Sequence, residues 1–380
     1  MSRARDIADL SSVSARLDTL GASEGALSNR NIIINGAMKV AQRGTSSTGL
    51  GASDGYFTCD RWNMGLSTAG RLTMTQESDG PDGFANSIKL ACTTADTSIA
   101  ATEVGILRQL IEGQDLQRFA KGTTSAKEFT VSFYVKGNAA ATYTAELFDN
   151  DNSRQISKTF SVTTSWTRVA LTYPADTTGA FDDDANLSLY LQIWLHAGSN
   201  FTSGTLNSTS WAANTNANRV SSSGSSFFDS TSRTFFITGV QLEVGSEATP
   251  FEHRTFGDEL AKCQRYYTRF FETGGSGSNA YLRYGYGTCE NTTRAEIPIN
   301  SHTVMRADPT LETTGTFSNY ALWQRGSIVA LTNLTVEGSG HSNGQLFTLT
   351  AVASGLNAGD CVGLLNNNST TAYLAFNAEL

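Results

Sequence analysis

Charge is scarce in this sequence: Asp, Glu, Lys and Arg make up 16% of 380 residues, and 27 basic against 35 acidic residues leave a net charge of -8. A surface that tracks nucleic-acid phosphates needs clustered Lys and Arg, so nucleic acid is not expected as a partner. Cysteine is sparse as well. Cys59, Cys92, Cys263, Cys289 and Cys361 are odd in number and widely spaced, with no CxxC pair, which argues for reduced, mostly buried thiols and against a disulfide framework or zinc site. No apolar run reaches the roughly 18 to 20 residues of a membrane span, and the opening MSRARDIADLSSVSARLDTL has no signal-type apolar stretch. Synthesis and folding in a cytoplasm, without membrane insertion, are the expectation.

The sequence signs of catalysis are missing too. His196, His253, His302 and His341 are scattered, with no HExxH or HxH arrangement, so each is expected on the surface or in a structural hydrogen bond. There is no GxSxG, Walker loop or GxGxxG, and the glycines at 49–55 and 274–277 read as turns and linkers. Asp182, Asp183 and Asp184 are consecutive. In extended chain their carboxylates alternate sides and cannot face one another as a glycosidase pair, so a solvated loop is expected, with a calcium cluster as the alternative. No enzyme activity, catalytic residue, cofactor or metal is expected.

What is abundant is small and polar: 35 glycines, with many Ser, Thr and Asn, a composition suited to turn-rich β structure. Residues 1–29 form a first segment in which Ile7, Leu10, Val13, Leu17 and Leu20 recur at helical spacing. A helix this short needs a partner for its apolar stripe, either copies of itself or another protein. From 30 to 255 the runs NIIIN, RLTMTQ, SIKLAC, FTVSFYVKG, TYTAELFD, ISKTFSV, WTRVALTY, LSLYLQIWL and TFFITGVQLEV alternate with turn clusters, the pattern of an antiparallel β-sandwich. In FTVSFYVKG, Phe129, Val131, Phe133 and Val135 share the core face and Thr130, Ser132 and Tyr134 the wetter one. The polar stretch 195–232 reads as surface loops, where binding commonly lives.

At 256–273 the period turns helical again. Thr255 and Asp258 stand in capping-box positions, and Leu260, Cys263, Tyr267 and Phe270 follow a 3-4-3 spacing with Arg265 and Arg269 outward. Two such seams, Ile7, Leu10 and Leu17 in one and Leu260, Cys263, Tyr267 and Phe270 in the other, predict a homotrimer. Residues 274–380, opened by the Gly274–Ser278 linker, form a second β domain with AEIPI, IVALTNLTV, QLFTLTAV and AYLAFNAEL as strands. The fold class is thus all-β: an antiparallel jelly-roll sandwich with a short N-terminal helix, a linking helix and a C-terminal β domain.

Aromatic faces that can stack on sugar rings are the candidate recognition groups. Trp166 and Trp194 sit inside strand runs and are expected in the core, whereas Trp211 and Trp323 lie in polar surroundings. The C-terminal domain adds Tyr320, Gln324, Arg325 and His341 around Trp323, and recognition is expected there, with core filling by Trp323 as the competing reading.

The opening NIIINGAMKVAQRGT followed by YFTCDRWNMG resembles a jelly-roll module of tailed-phage fibre and virion proteins. LRQLIEG, FTVSFYVKGN and WTRVALTYPAD are similar both to that module and to carbohydrate-binding modules. FFITGVQLEVGSEATPFEHRTFGDELAKCQRYYTRFF, residues 235–271, is the most specific match, to the module's end and following helix. MSRARDIADL resembles the leader of marine-phage fibre proteins, and PINSHTVMRADPTL through AYLAFNAEL their distal domain. The resemblance implies a virion location, docking to other virion proteins through the N-terminus, and a tail-fibre or receptor-binding role toward a host surface glycan. Its alternatives are a head-decoration or other virion-attached fibre, and a sugar-binding or polysaccharide-degrading protein. The sugar-contacting residues of carbohydrate-binding modules do not map onto this chain.

Overall fold

A computed structural model describes residues 29–68, 70–270, 281–337, 344–369 and 371–380. The expected helix carrying Ile7, Leu10 and Leu17, the Gly274–Ser278 linker and His341 lie outside them. The chain divides into two compact units, residues 1–259 with residue 380, and residues 260–379. Among the described residues no helix is long and apolar enough to cross a membrane.

The first unit contains strands β1 (Ser46–Leu50), β2 (Gly55–Tyr56), β3 (Asn63–Ser67), β4 (Arg71–Glu77), β5 (Ser87–Thr94), β6 (Val104–Glu112), β7 (Phe129–Gly137), β8 (Ala141–Asp149), β9 (Arg154–Val162), β10 (Thr167–Tyr173), β11 (Leu187–Ala197), β12 (Ala212–Ala213) and β13 (Thr234–Val244). They pair antiparallel in two sheets, β1-β4-β5-β13-β7-β10 and β12-β9-β8-β11-β6-β3-β2. β13 between β5 and β7, and β11 between β8 and β6, are the crossovers of a jelly-roll sandwich. In β7 the expected core face holds, whereas Thr130 and Ser132, expected on the wetter face, are buried as well. Phe129, Val131, Phe133 and Val135 are fully buried and face Leu147, Leu191 and Ile193 of the other sheet's strands in one core.

One expectation for this unit is corrected. NIIIN is buried but is not a strand. Its asparagines replace a ladder: Asn31 Oδ1 accepts from Ile33 N (3.0 Å) and Leu242 N (3.1 Å), and Asn35, at φ 58°, donates Nδ2 to Val40 O (2.8 Å) and Asp60 O (3.0 Å). Asn tolerates this left-handed conformation because its short amide bonds to nearby backbone. The stretch 195–232 is mostly irregular and lies at the surface, as expected of loops; its apolar Trp211, Val220, Phe227 and Phe228 turn inward as anchors, and Asn207 ties it to β9 through Ser157 N (2.8 Å) and Gln155 O (2.7 Å).

The segments that carry the family resemblance form a clasp. Gln42 of the QRGT turn bonds Asp60 of the DRW element, its backbone N at 2.8 Å from Oδ1, and Trp62 donates its indole N–H to Asn35 O at 3.1 Å. From the other end, Glu252 accepts from Asn31 N (2.8 Å), Arg254 donates to Ile33 O (2.9 Å) and Glu259 accepts from Asn35 N (2.5 Å). These motifs close the sandwich.

Helix α1 (Phe256–Gln264) follows, its Asp258 N donating to Thr255 Oγ1 at 3.2 Å as the capping box requires. It stops there, and the expected linking helix to residue 273 is corrected. Tyr267–Phe270 is strand β14, since the aromatic and β-branched run YYTRF favours extended chain once an edge is available. The second unit continues with β15 (Arg283–Cys289), β16 (Arg294–Asn300), β17 (Thr310–Thr313), β18 (Tyr320–Gln324), β19 (Ser327–Ala330), β20 (Asn333–Val336), β21 (Leu346–Val352), β22 (Cys361–Asn366) and β23 (Leu374–Asn377). Its sheets are β14-β23-β17 and β19-β18-β22-β15-β16-β21-β20. Leu260, Cys263, Tyr267 and Phe270 therefore form no helical seam. Cys263, Tyr267 and Phe270 are buried within their own chain, Phe270 against Phe376 at 4.9 Å, while Arg269 lies over Tyr373 at 4.2 Å.

Candidate functional site

β18 reads YALWQ, and the pleat sends Leu322 into the core of the second unit and Trp323 outward. Trp323 is 40% exposed, so it does not fill the core. Register supplies its neighbours. Trp323 pairs with Ile328 on β19 and with Gly363 on β22, and Gly363 pairs in turn with Tyr286 on β15. Ile328, Trp323, Gly363 and Tyr286 thus form one row across four strands, and Ile328 and Tyr286 are as open as the tryptophan, at 45% and 57% exposure.

Gly363 matters to this row. A Cβ there would stand 3.2 Å from the Tyr286 ring, so the glycine lets the phenol lie down over the strand and leaves a shallow floor between two aromatics. Strands repeat at about 4.8 Å, which puts Trp323 and Tyr286 about 10 Å apart across the floor. Arg283 stands over the Trp323 ring at 5.3 Å, adding a cation and hydrogen-bond donors at the edge of the apolar strip. An aromatic plane, a second aromatic two strands away and a guanidinium beside them can stack on the apolar face of a sugar ring and bond its hydroxyls.

The hairpin that carries Trp323 and Ile328 is fixed from one side. Arg325 (φ 49°) and Gly326 (φ 82°) turn β18 into β19, in the two-residue geometry that requires positive φ at both central positions. Asp360 then binds both residues flanking the turn's start: Arg325 through Nε (2.6 Å) and Nη2 (2.8 Å), and Gln324 through Nε2 (3.0 Å).

The other sequence candidates divide. Arg325 is exposed beside the row, engaged with Asp360. Gln324 is buried and supports the turn from inside. Tyr320 is fully buried, its hydroxyl donating to Tyr373 O, because β18 places it on the core face with Leu322; it is not a contact residue. Trp211 belongs to the first unit's core, its indole N–H donated to Pro174 O at 2.9 Å, and is not a platform. Trp194 is buried as expected, in a small cluster with Ile106 and Val220, and Trp166 is only half-buried, bonded to Asp79 Oδ1 at 3.1 Å. Asp182, Asp183 and Asp184 lie in a loop, where the Asp184 carboxylate caps Asn186 N at 2.8 Å. Tyr286, Ile328, Arg283 and Gly363 were not singled out in the sequence. The only local signal was the polar-aromatic alternation of RYGYGTC, and the pairing that gathers them is long-range.

No protein-family model matches the sequence, and no curated protein matches it. Among solved structures the chain is similar to the Family 11 carbohydrate-binding module from Clostridium thermocellum, in complex with a β-1,3-1,4-mixed-linked tetrasaccharide, at 13% identity over 54% of this chain and 98% of that one, with a TM-score of 0.28. It is also similar to the CBM22-1 xylan-binding domain from Paenibacillus barcinonensis, at 12% identity over 55% of this chain and 93% of that one, TM-score 0.26. Tailspike protein 4 of bacteriophage CBA120, in its enzymatically active domain, is similar at 14% identity over 57% of this chain, TM-score 0.29, and the chain spans 21% of that protein's length. At these values the likenesses assign no role to any residue of this chain.

Proposed function

We propose that this chain is a non-enzymatic structural subunit of a tailed-phage virion, of the tail-fibre or receptor-binding type, which recognises host surface glycan through the Trp323 row. The observation that carries the glycan reading is the exposed alignment of Ile328, Trp323 and Tyr286 over Gly363, with Arg283 on the indole. An apolar strip of this kind is costly to leave in water without a ligand. The virion part of the reading is supported by the resemblance of residues 235–271 and of the QRGT and DRW segments to fibre modules; attachment would fall to residues 1–29.

Trp323 is the most exposed tryptophan of the described residues, since Trp62, Trp194 and Trp211 are buried and Trp166 is half-buried. Iodide quenching of the full-length protein should therefore report mainly on Trp323. Adding host polysaccharide fragments is expected to protect it, and Trp323→Phe should remove the protectable fraction. Unchanged quenching at saturating polysaccharide that still binds the protein would place recognition elsewhere.

A further inference from the structure

The first unit gathers a second set of chemically capable side chains, unconnected in sequence and independent of the glycan reading. Asp96 follows β5, Glu103 precedes β6 and His196 lies near the end of β11; all three are buried, and their ligand atoms lie within 4.8 Å of one another. His196 Nδ1 is 2.8 Å from Ser226 Oγ, which fixes the ring and turns Nε2 toward Glu103 Oε2 at 3.3 Å.

The backbone around them is pinned. Asp96 N donates to Phe228 O (2.8 Å), Gly198 N donates to Glu103 O (2.8 Å), and the Asp96 carboxylate accepts from Ser98 N (3.1 Å) and Thr68 Oγ1 (3.3 Å). Each prospective ligand is thus held by a neighbour that does not itself ligate, which is how metal sites are pre-set. A separate feature also points to a bound species. His196 and Ser226 line a cavity of about 300 Å³, and Thr144, fully buried on the same wall, has a hydroxyl with no hydrogen-bond partner. Of the three prospective ligands the cavity reaches His196, and the unpartnered hydroxyl calls for a water or ligand atom.

We propose that Asp96, Glu103 and His196 bind one divalent transition-metal ion of the zinc class, with water completing the coordination. Two carboxylates and a neutral imidazole balance a doubly charged ion. The imidazole selects against Ca²⁺, which takes six to eight oxygen ligands. Expecting no metal from the sequence followed from spacing alone, because Asp96 and Glu103 stand far from His196 until β6 and β11 pair.

The test is calorimetric titration of Zn²⁺ into the full-length, chelator-treated protein, with Co²⁺ absorption as a second readout. One equivalent is expected, with a Co²⁺ ligand-field band and no comparable binding of Ca²⁺. Ser226→Ala should weaken Zn²⁺ about tenfold by freeing the ring, and His196→Gln should weaken it by tenfold or more. If His196→Gln does not fold by circular dichroism, Glu103→Gln is read in its place. Absence of Zn²⁺ binding to the wild-type protein, or binding undiminished in the folded ligand variant, overturns the proposal.

Discussion

Lys121 is wholly buried, yet its ammonium is surrounded by oxygen: Asp149 Oδ2 at 2.5 Å, Asp176 Oδ2 at 3.2 Å, Thr178 O at 3.0 Å and Gly179 O at 2.6 Å. Arg154 completes the network with two bonds to Asp176, at 2.7 and 3.0 Å. Burial pushes the Asp176 carboxyl up, and the bonds from Arg154, the Thr178 amide and Lys121 more than reverse this, so it titrates below the ordinary carboxylate range. A carboxyl depressed in the folded state contributes stability that is full above the unfolded value of about 3.9 and is lost as pH falls through the lower folded value. Asp176→Asn should cost about 1–3 kcal/mol near neutral pH, since it weakens the charge-assisted bonds to Arg154 and Lys121 while Asp149 still pairs the buried ammonium. It should also flatten the acid limb of the stability curve, as urea melts between pH 2 and 7 would register. None of this was visible in the sequence, where Lys121 sits in a polar stretch like any surface lysine. Trp323 is the converse case: its polar neighbours marked it, and only the pleat of β18 decided which way it faced.

At the scale of elements, the strand runs from RLTMTQ to TFFITGVQLEV were legible because alternation and β-branched residues act locally, and most became strands. NIIIN and YYTRF were misread for opposite reasons. The first has strand composition, but distant side chains take much of its backbone, Glu252 at Asn31 N, Gln109 at Ile34 N and O and Arg254 at Ile33 O; the second continues a helical spacing by coincidence and is captured by β23, with Thr268 opposite Phe376 and Phe270 opposite Leu374. This reassignment has a measurable consequence. Phe270→Ala should lower the stability of the second unit by about 3–5 kcal/mol, because it empties a core position beside Phe376. Light scattering should show the oligomeric state unchanged. A variant that kept its melting temperature but lost an oligomer would restore the helical seam.

For the molecule as a whole, the all-β class followed from composition and turn spacing; the chain divides into its two compact units between Glu259 and Leu260, inside the segment read as a linking helix. The Trp323 row was only partly legible: Trp323 stood out, but Tyr286, Ile328 and Gly363 come from strands that meet only after folding. The segments most like a known module serve closure of the sandwich, which explains why resemblance pointed to architecture more sharply than to a binding residue. Whether the exposed row on the second unit binds host glycan is tested most directly by competition for adsorption. Full-length protein and its Trp323→Ala variant would be compared for blocking phage attachment to susceptible cells, with thermal melts in parallel. The wild type is expected to compete. Trp323→Ala, at an exposed position, should change stability by under about 1 kcal/mol and lose about tenfold in competing strength, the equivalent of one aromatic contact. Equal competition by the two folded proteins would contradict the account.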